Sequence, residues 1–170
     1  KNDDAFIISS YLPKKELIKL QLALGQFPQF WSRPKIILVE KHNREIRAKL
    51  TKKILRKSGS DLEDIIFAMV FELLPICYLE GFDTLNKHVK QQPWPKNPKF
   101  IYTCNNFDND EVFKLWAATK VELGALYVVG QHGNNYGTSR YLNPSVEELT
   151  ADKFLTWGWV DGLSQHVPAF

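Results

Sequence analysis

Residues 99–130 leave this chain few folds to choose from. Two short apolar runs, KFIYTC (99–104) and ALYVVG (125–130), bracket one helical stretch. Between them NNFDNDE reads as a turn and a helix cap, with Asp108 placed to cap. Val112, Leu115, Trp116 and Leu123 follow at helical spacing, and Gly124 stands where a left-handed stop belongs. A strand, a helix and a strand in this order pair their strands in parallel through a right-handed crossover. The expectation is therefore a Rossmann-like α/β domain, with a mostly parallel sheet and helices on both faces.

The rest of the chain extends that pattern. DAFIIS (4–9) reads as a first strand, and KKELIKLQLALG (14–25) as a helix that stops at Gly25. QFPQFWSRP (26–34) is an aromatic connection. KIILVE (35–40) suits a buried strand, although so short a run does not separate strand from helix. Residues 43–57 read as a basic amphipathic helix with the narrow apolar stripe Ile46, Leu50 and Ile54, and Gly59 ends this part. Ser60 with Glu63 makes a capping-box start for a helix apolar on nearly every side, which is expected to be central and buried. Pro75 ends or kinks it, and a further helix runs to about Lys90. QQPWPKNP (91–98) is a stiff loop. SVEEL suggests a single helical turn, and KFLTWGW (153–159) a last strand. The expected organisation is one domain over 1–160 and an exit segment over 161–170, the whole being part of a longer protein.

Composition excludes several classes. With 44% hydrophobic and 24% charged residues, the chain is neither disordered nor fibrous. No apolar run nears the roughly 18 residues that a membrane-spanning helix needs. The N-terminal KNDD has no signal-peptide character. Cys77 and Cys104 lack metal-ligand spacing and read as buried free thiols, in keeping with a cytoplasmic setting. No cofactor or metal is called for. GxGxxG, GxxxxGK[ST] and GxSxG are all absent, so dinucleotide, P-loop and serine-hydrolase readings lose their usual support. Charge is local: residues 33–57 hold ten basic side chains against Glu40 and Glu45, a net of +8 in a chain of +3. That segment can be a solvated face, a surface for anionic lipid or polymer, or a nucleic-acid contact, although it lacks the interleaved aromatics of a single-strand platform.

Ligands of open parallel sheets gather beyond the carboxyl ends of the strands. The expected strands deliver Ser9, Ser10 and Tyr11; Asn105 and Asn106; Gln131, His132 and Gly133; and Trp157, Gly158 and Trp159. In GQHGNNYG (130–137), glycines at 130 and 133 would let the backbone turn at positive φ and approach a ligand, and His132 could accept a proton or meet a phosphate. Asn134, Asn135 and Tyr136 suit sugar hydroxyls. A plain turn with a surface histidine is the bland alternative. His42, His88 and His166 read as solvated or tail residues, and Asp108, Asp110 and Glu111 as capping and dipole groups. Trp157 and Trp159 fit a core or an aromatic wall equally.

The pair GQHGNNYG and DKFLTWGW (152–159) resembles a transferase family of bacterial O-antigen and surface-polysaccharide gene clusters. Its pattern is a GQHG-x-NYG-like loop followed by a D-x-[FY]-L-T-W-G-W-like strand. AFIISSYLP, LPICYLEGF and DEVFKLWAATKVELG look like the family too, so the resemblance spans most of the chain. The family is distantly similar to two-Rossmann-domain glycosyltransferases and to CDP-glycerol glycerophosphotransferases, whose His–Gly loop points to His132. The resemblance implies a nucleotide-activated sugar and a glycan acceptor as partners. It also implies a second Rossmann-like domain in the same protein, holding most of the donor nucleotide. His132 would be base or phosphate ligand, oriented by Gln131. Gly133, Asn134, Asn135, Tyr136, Asn105, Asn106, Ser10 and Tyr11 would hold substrate. The inner membrane surface is a partner that the basic helix could meet, and nucleic acid a less fitting one. The rival classes are a non-catalytic module binding a nucleotide or glycan, and a nucleic-acid-binding protein using the helix at 43–57.

Overall fold

The computed structural model describes residues 5–35, 40–55, 60–133, 135, 136, 138, 140 and 144–169, with Leu55 by its backbone alone. Most of the strand expected at 35–40, the end of the basic helix, Gly59, Asn134 and Gly137 lie outside the described residues. The chain divides into two compact units, Lys1–Pro34 with Gln92–Phe170, and Lys35–Gln91.

The first unit carries β1 (Ala5–Ile8), α1 (Lys14–Ala23), β2 (Phe100–Thr103), α5 (Asn106–Asn109), α6 (Glu111–Glu122), β3 (Leu126–Gly130), α7 (Val146–Thr150), β4 (Lys153–Thr156) and β5 (His166–Pro168). The second carries α2 (Arg44–Leu55), α3 (Asp61–Leu73) and α4 (Phe82–Gln91). The strands form one sheet in the order β1-β2-β3-β4-β5, and every pair is parallel. The α/β class and the parallel sheet are thus as the sequence predicts.

Strand alternation splits the sheet into two faces. Phe6, Ile101, Tyr127, Val129 and Phe154 share one face through their register, and all are buried. α6 covers it: Phe6 lies 4.5 Å from Trp116 and 6.5 Å from Phe113, ring to ring, with Trp94 at 5.2 Å and Trp31 at 5.5 Å. On the other face, Ala5, Ile7, Tyr102 and Cys104 form a cluster that Leu17 and Leu24, on and just beyond α1, pack against. Helices therefore sit on both faces, as expected. An apolar cavity of about 520 Å³ lies on the α1 side, lined by Leu20, Tyr102, Val128 and Leu155 among others.

Several local expectations need correction. Asp110, not Asp108, caps α6: its Oδ1 accepts from Phe113 N at 3.0 Å, while Asp108 falls inside α5. The cause is the extra turn, which moves the helix start two residues on. His166 is no tail residue. It opens β5 with its side chain buried, Nδ1 2.9 Å from Asp161 and Nε2 3.6 Å from Glu148. α3 is not central, for none of its residues is buried. Its half-buried residues, Asp64, Phe67, Phe71 and Leu74 just beyond its end, follow helical spacing, and Leu62, Ile65, Ile66, Met69, Val70 and Leu73 face away from that stripe, exposed.

Within the basic segment, Arg47 is not a solvated charge. It is 2% exposed. Its guanidinium grips Glu80 through Nε at 2.8 Å and Nη2 at 2.7 Å, while Nη1 donates to the carbonyls of Phe71 and Leu74. Those are orphan carbonyls at the end of α3, whose last turn has no basic residue of its own. Arg47 and the backbone N–H of Asn43 hold the Glu80 carboxyl at about 2, well below its ordinary 4.5.

Candidate functional site at the carboxyl ends of the strands

Because every strand runs the same way, all strand ends open on one edge of the sheet. β1 ends in Ser9, Ser10 and Tyr11. Ser9 (φ 49°) and Tyr11 (φ 56°) both lie in the left-handed region, which is strained for residues with a Cβ and gathers at functional positions. Ser10 is buried, its Oγ accepting from Leu12 N at 3.3 Å. Tyr11 is 66% exposed, its hydroxyl accepting from Asn105 Nδ2 at 2.6 Å. The strand-end residues of β1 and β2 are thus brought together.

Beside them stands Arg33, counted from the sequence only as one more basic residue. Its Nε donates to Asn106 Oδ1 at 3.1 Å, Nη1 to Asn109 Oδ1 at 2.7 Å and Nη2 to Asn105 Oδ1 at 2.8 Å. Asn106 is fully buried, and its Nδ2 donates to Asp110 Oδ2 at 3.1 Å. Burial pushes the Asp110 carboxyl up, opposed by the Phe113 N–H and the Arg33 charge.

The GQHG loop leaves β3 differently from the expectation. Neither Gly130 nor Gly133 has positive φ. Gly130 is needed from below: a Cβ there would meet the Tyr102 hydroxyl at 2.5 Å and Cys104 Sγ at 2.9 Å. Gln131 is buried, its amide donating to Gly133 O at 2.6 Å and accepting from Trp157 N at 2.9 Å and Trp159 Nε1 at 2.8 Å. This one side chain clasps the GQHG loop to the TWGW strand end. Asp152, which opens the second motif, accepts from Tyr127 N at 2.7 Å and ties β4 to β3.

His132 stands out from the loop with its side chain 34% exposed. Its ring meets Tyr136 edge-on at 5.7 Å and Phe107, from α5, at 6.0 Å. Its Nε2 lies 3.8 Å from Glu147 Oε1, and the same oxygen accepts from the Tyr136 hydroxyl at 2.8 Å. Burial, then the Glu147 carboxylate, pushes the Tyr136 hydroxyl up, so it stays a donor. Asn135 is exposed and its carbonyl accepts from Thr138. Trp157 is largely exposed, whereas Trp159 packs edge-on against His166 at 5.2 Å.

Glu147 and Arg33 are the residues that sequence reasoning missed. The signal for Glu147 was present: Ser145 and Glu148 form a complete capping box, which fixes the one-turn α7 and turns Glu147 toward the loop. Arg33 carried no such signal. Among the described residues, no three of His, Cys, Asp and Glu gather to hold a metal ion, and no helix is long and apolar enough to cross a membrane.

Comparison with known proteins gives one assignment. The model of a family described as LIC12162 family transferase matches residues 1–170. No curated protein and no solved structure matches the chain. The chain belongs to the LIC12162 transferase family, and its general role is that of a transferase.

Proposed function

We propose that this chain is part of a transferase of bacterial surface-polysaccharide assembly of the O-antigen type. It moves a sugar, or a related phosphate-activated group, from a nucleotide-activated donor to a glycan acceptor. A second Rossmann-like domain of the same protein holds most of the donor nucleotide, and the work is done on the cytoplasmic side. Exposed Lys49, Lys52 and Lys53 of α2 are the charges that would meet the inner membrane surface.

The observation that carries this reading is the placement of His132 at the sheet's carboxyl edge, with Glu147 and Tyr136 behind it. With Nε2 turned toward Glu147, the other ring nitrogen is left to meet an acceptor hydroxyl. That nitrogen takes the proton as the hydroxyl oxygen bonds to the donor carbon and the nucleotide phosphate departs. Ser10, Tyr11, Asn105, Asn106, Gln131, Gly133, Asn135 and Tyr136 form or shape the surrounding surface, and Asn134 is proposed as a further substrate ligand from the sequence alone. The test is turnover of the intact protein carrying His132→Ala. A fall of about 100-fold or more is expected. Turnover within about threefold of the wild type, with the fold intact, removes His132 from the chemistry.

A further inference from the structure

We propose that Arg33, held by Asn105, Asn106 and Asn109, is the group that binds a phosphoryl oxyanion of the substrate. The inference deepens the transferase reading and rests on it for the substrate's identity, while the binding site is read from the cluster alone.

A guanidinium fixed in proteins ordinarily faces a carboxylate, which takes both its hydrogen bonds and its charge. Arg33 faces three neutral amide oxygens instead, and among the described residues no carboxylate lies within ion-pair distance of it. The amides take the bonds, and the Asp110 carboxylate, reached through Asn106, acts on the guanidinium only from beyond ion-pair distance. Their orientation is also fixed. Asn106 donates through Nδ2 to Asp110, and Asn105 through Nδ2 to Tyr11, so each must turn its oxygen toward the guanidinium. The side chain is exposed, and the described residues engage three of its N–H groups, leaving two of the five that arginine carries.

Holding a long exposed side chain in one plane costs conformational entropy, and the ordering leaves a preorganised cation at the ligand edge of the sheet. The strained turn of Ser9 and Tyr11 joins the cluster through the Tyr11 hydroxyl, which accepts from Asn105. α5 carries two of the three asparagines and also Phe107, which packs on His132. One short turn thus supports both the anion site and the proposed base, as a transfer from a phosphate-bearing donor requires.

The experiment is NMR of the intact protein with ¹⁵N-labelled arginine, titrated with inorganic pyrophosphate and, separately, with glucuronate. The Arg33 Nε–Hε signal is expected to shift with pyrophosphate and stay still with glucuronate. Arg33→Gln, with its thermal midpoint checked, is expected to weaken pyrophosphate binding about tenfold or more. A stationary signal, an unchanged affinity in folded Arg33→Gln, or a response to glucuronate alone overturns the proposal. Because the readout is binding without turnover, its failure is distinct from an unimpaired His132→Ala enzyme.

Discussion

A carboxylate reads its surroundings through its pKa, and Glu80 gives the sharpest case in this chain. Its folded pKa is depressed, by Arg47 first, to about 2 from 4.5. The sign follows from linkage: the stabilisation is complete above about 4.5 and disappears as pH falls toward 2. Acid unfolding followed by circular dichroism should show that loss in the wild type. Glu80→Gln should start less stable at neutral pH, with Arg47 left as a buried unpaired charge, and should lack the part of the acid slope below 4.5. Parallel curves for the two proteins in that window would contradict the coupling. Residue-scale legibility was uneven for a related reason. His132 was visible because a polar loop interrupts an apolar run. Arg47 and Arg33 looked alike in a basic segment, yet one is buried against a carboxylate and the other is exposed on three amides. Sequence carries the charge of an arginine but not the partner that decides its role.

At the scale of elements, glycine at the end of β3 is decided by what lies under the strand, not by the turn that follows. Adding one methyl at Gly130 places it 2.5 Å from the Tyr102 hydroxyl. Gly130→Ala should therefore destabilise by about 1–3 kcal/mol, as overpacking does. Tyr102→Phe removes the nearest atom, so the double variant should recover part of the loss, though not all, because Cys104 Sγ remains at 2.9 Å. Urea denaturation of the four proteins of this cycle measures the coupling, and strict additivity would rule the close approach out. The sequence marked Gly130 as special but attached the wrong reason, since register with Tyr102's neighbours is a property of paired strands. Helix caps were legible to within one turn: Asp110 replaces Asp108 because α5 intervenes. α3 was misread as central because apolar residues around a helix announce burial without naming a neighbour.

Across the whole molecule, the strand–helix–strand core at 99–130 was legible because it is local, and its parallel sense followed from chain geometry. What extends the sheet was harder to read. β5 is only His166–Pro168, too short for periodicity, and its place depends on pairing with β4. The first unit is likewise assembled from remote pieces, joined across residues 35–91. Phe6 is the ring where those pieces meet: Trp31 comes from the connection after α1, Trp94 from the proline loop, and Phe113 and Trp116 from α6. No sequence-local signal could supply that convergence, because none of the four partners is a chain neighbour of Phe6. It makes a definite demand on stability. Phe6→Ala empties a fully buried site among three tryptophans and should cost about 3–5 kcal/mol. Guanidinium unfolding followed by tryptophan fluorescence reads the loss directly, and near-UV circular dichroism reads the loosening of the rings. If the ring were a minor contact, the midpoint would hardly move and the near-UV signal would persist. If it joins the sheet to α6 and both aromatic connections, midpoint and signal fall together.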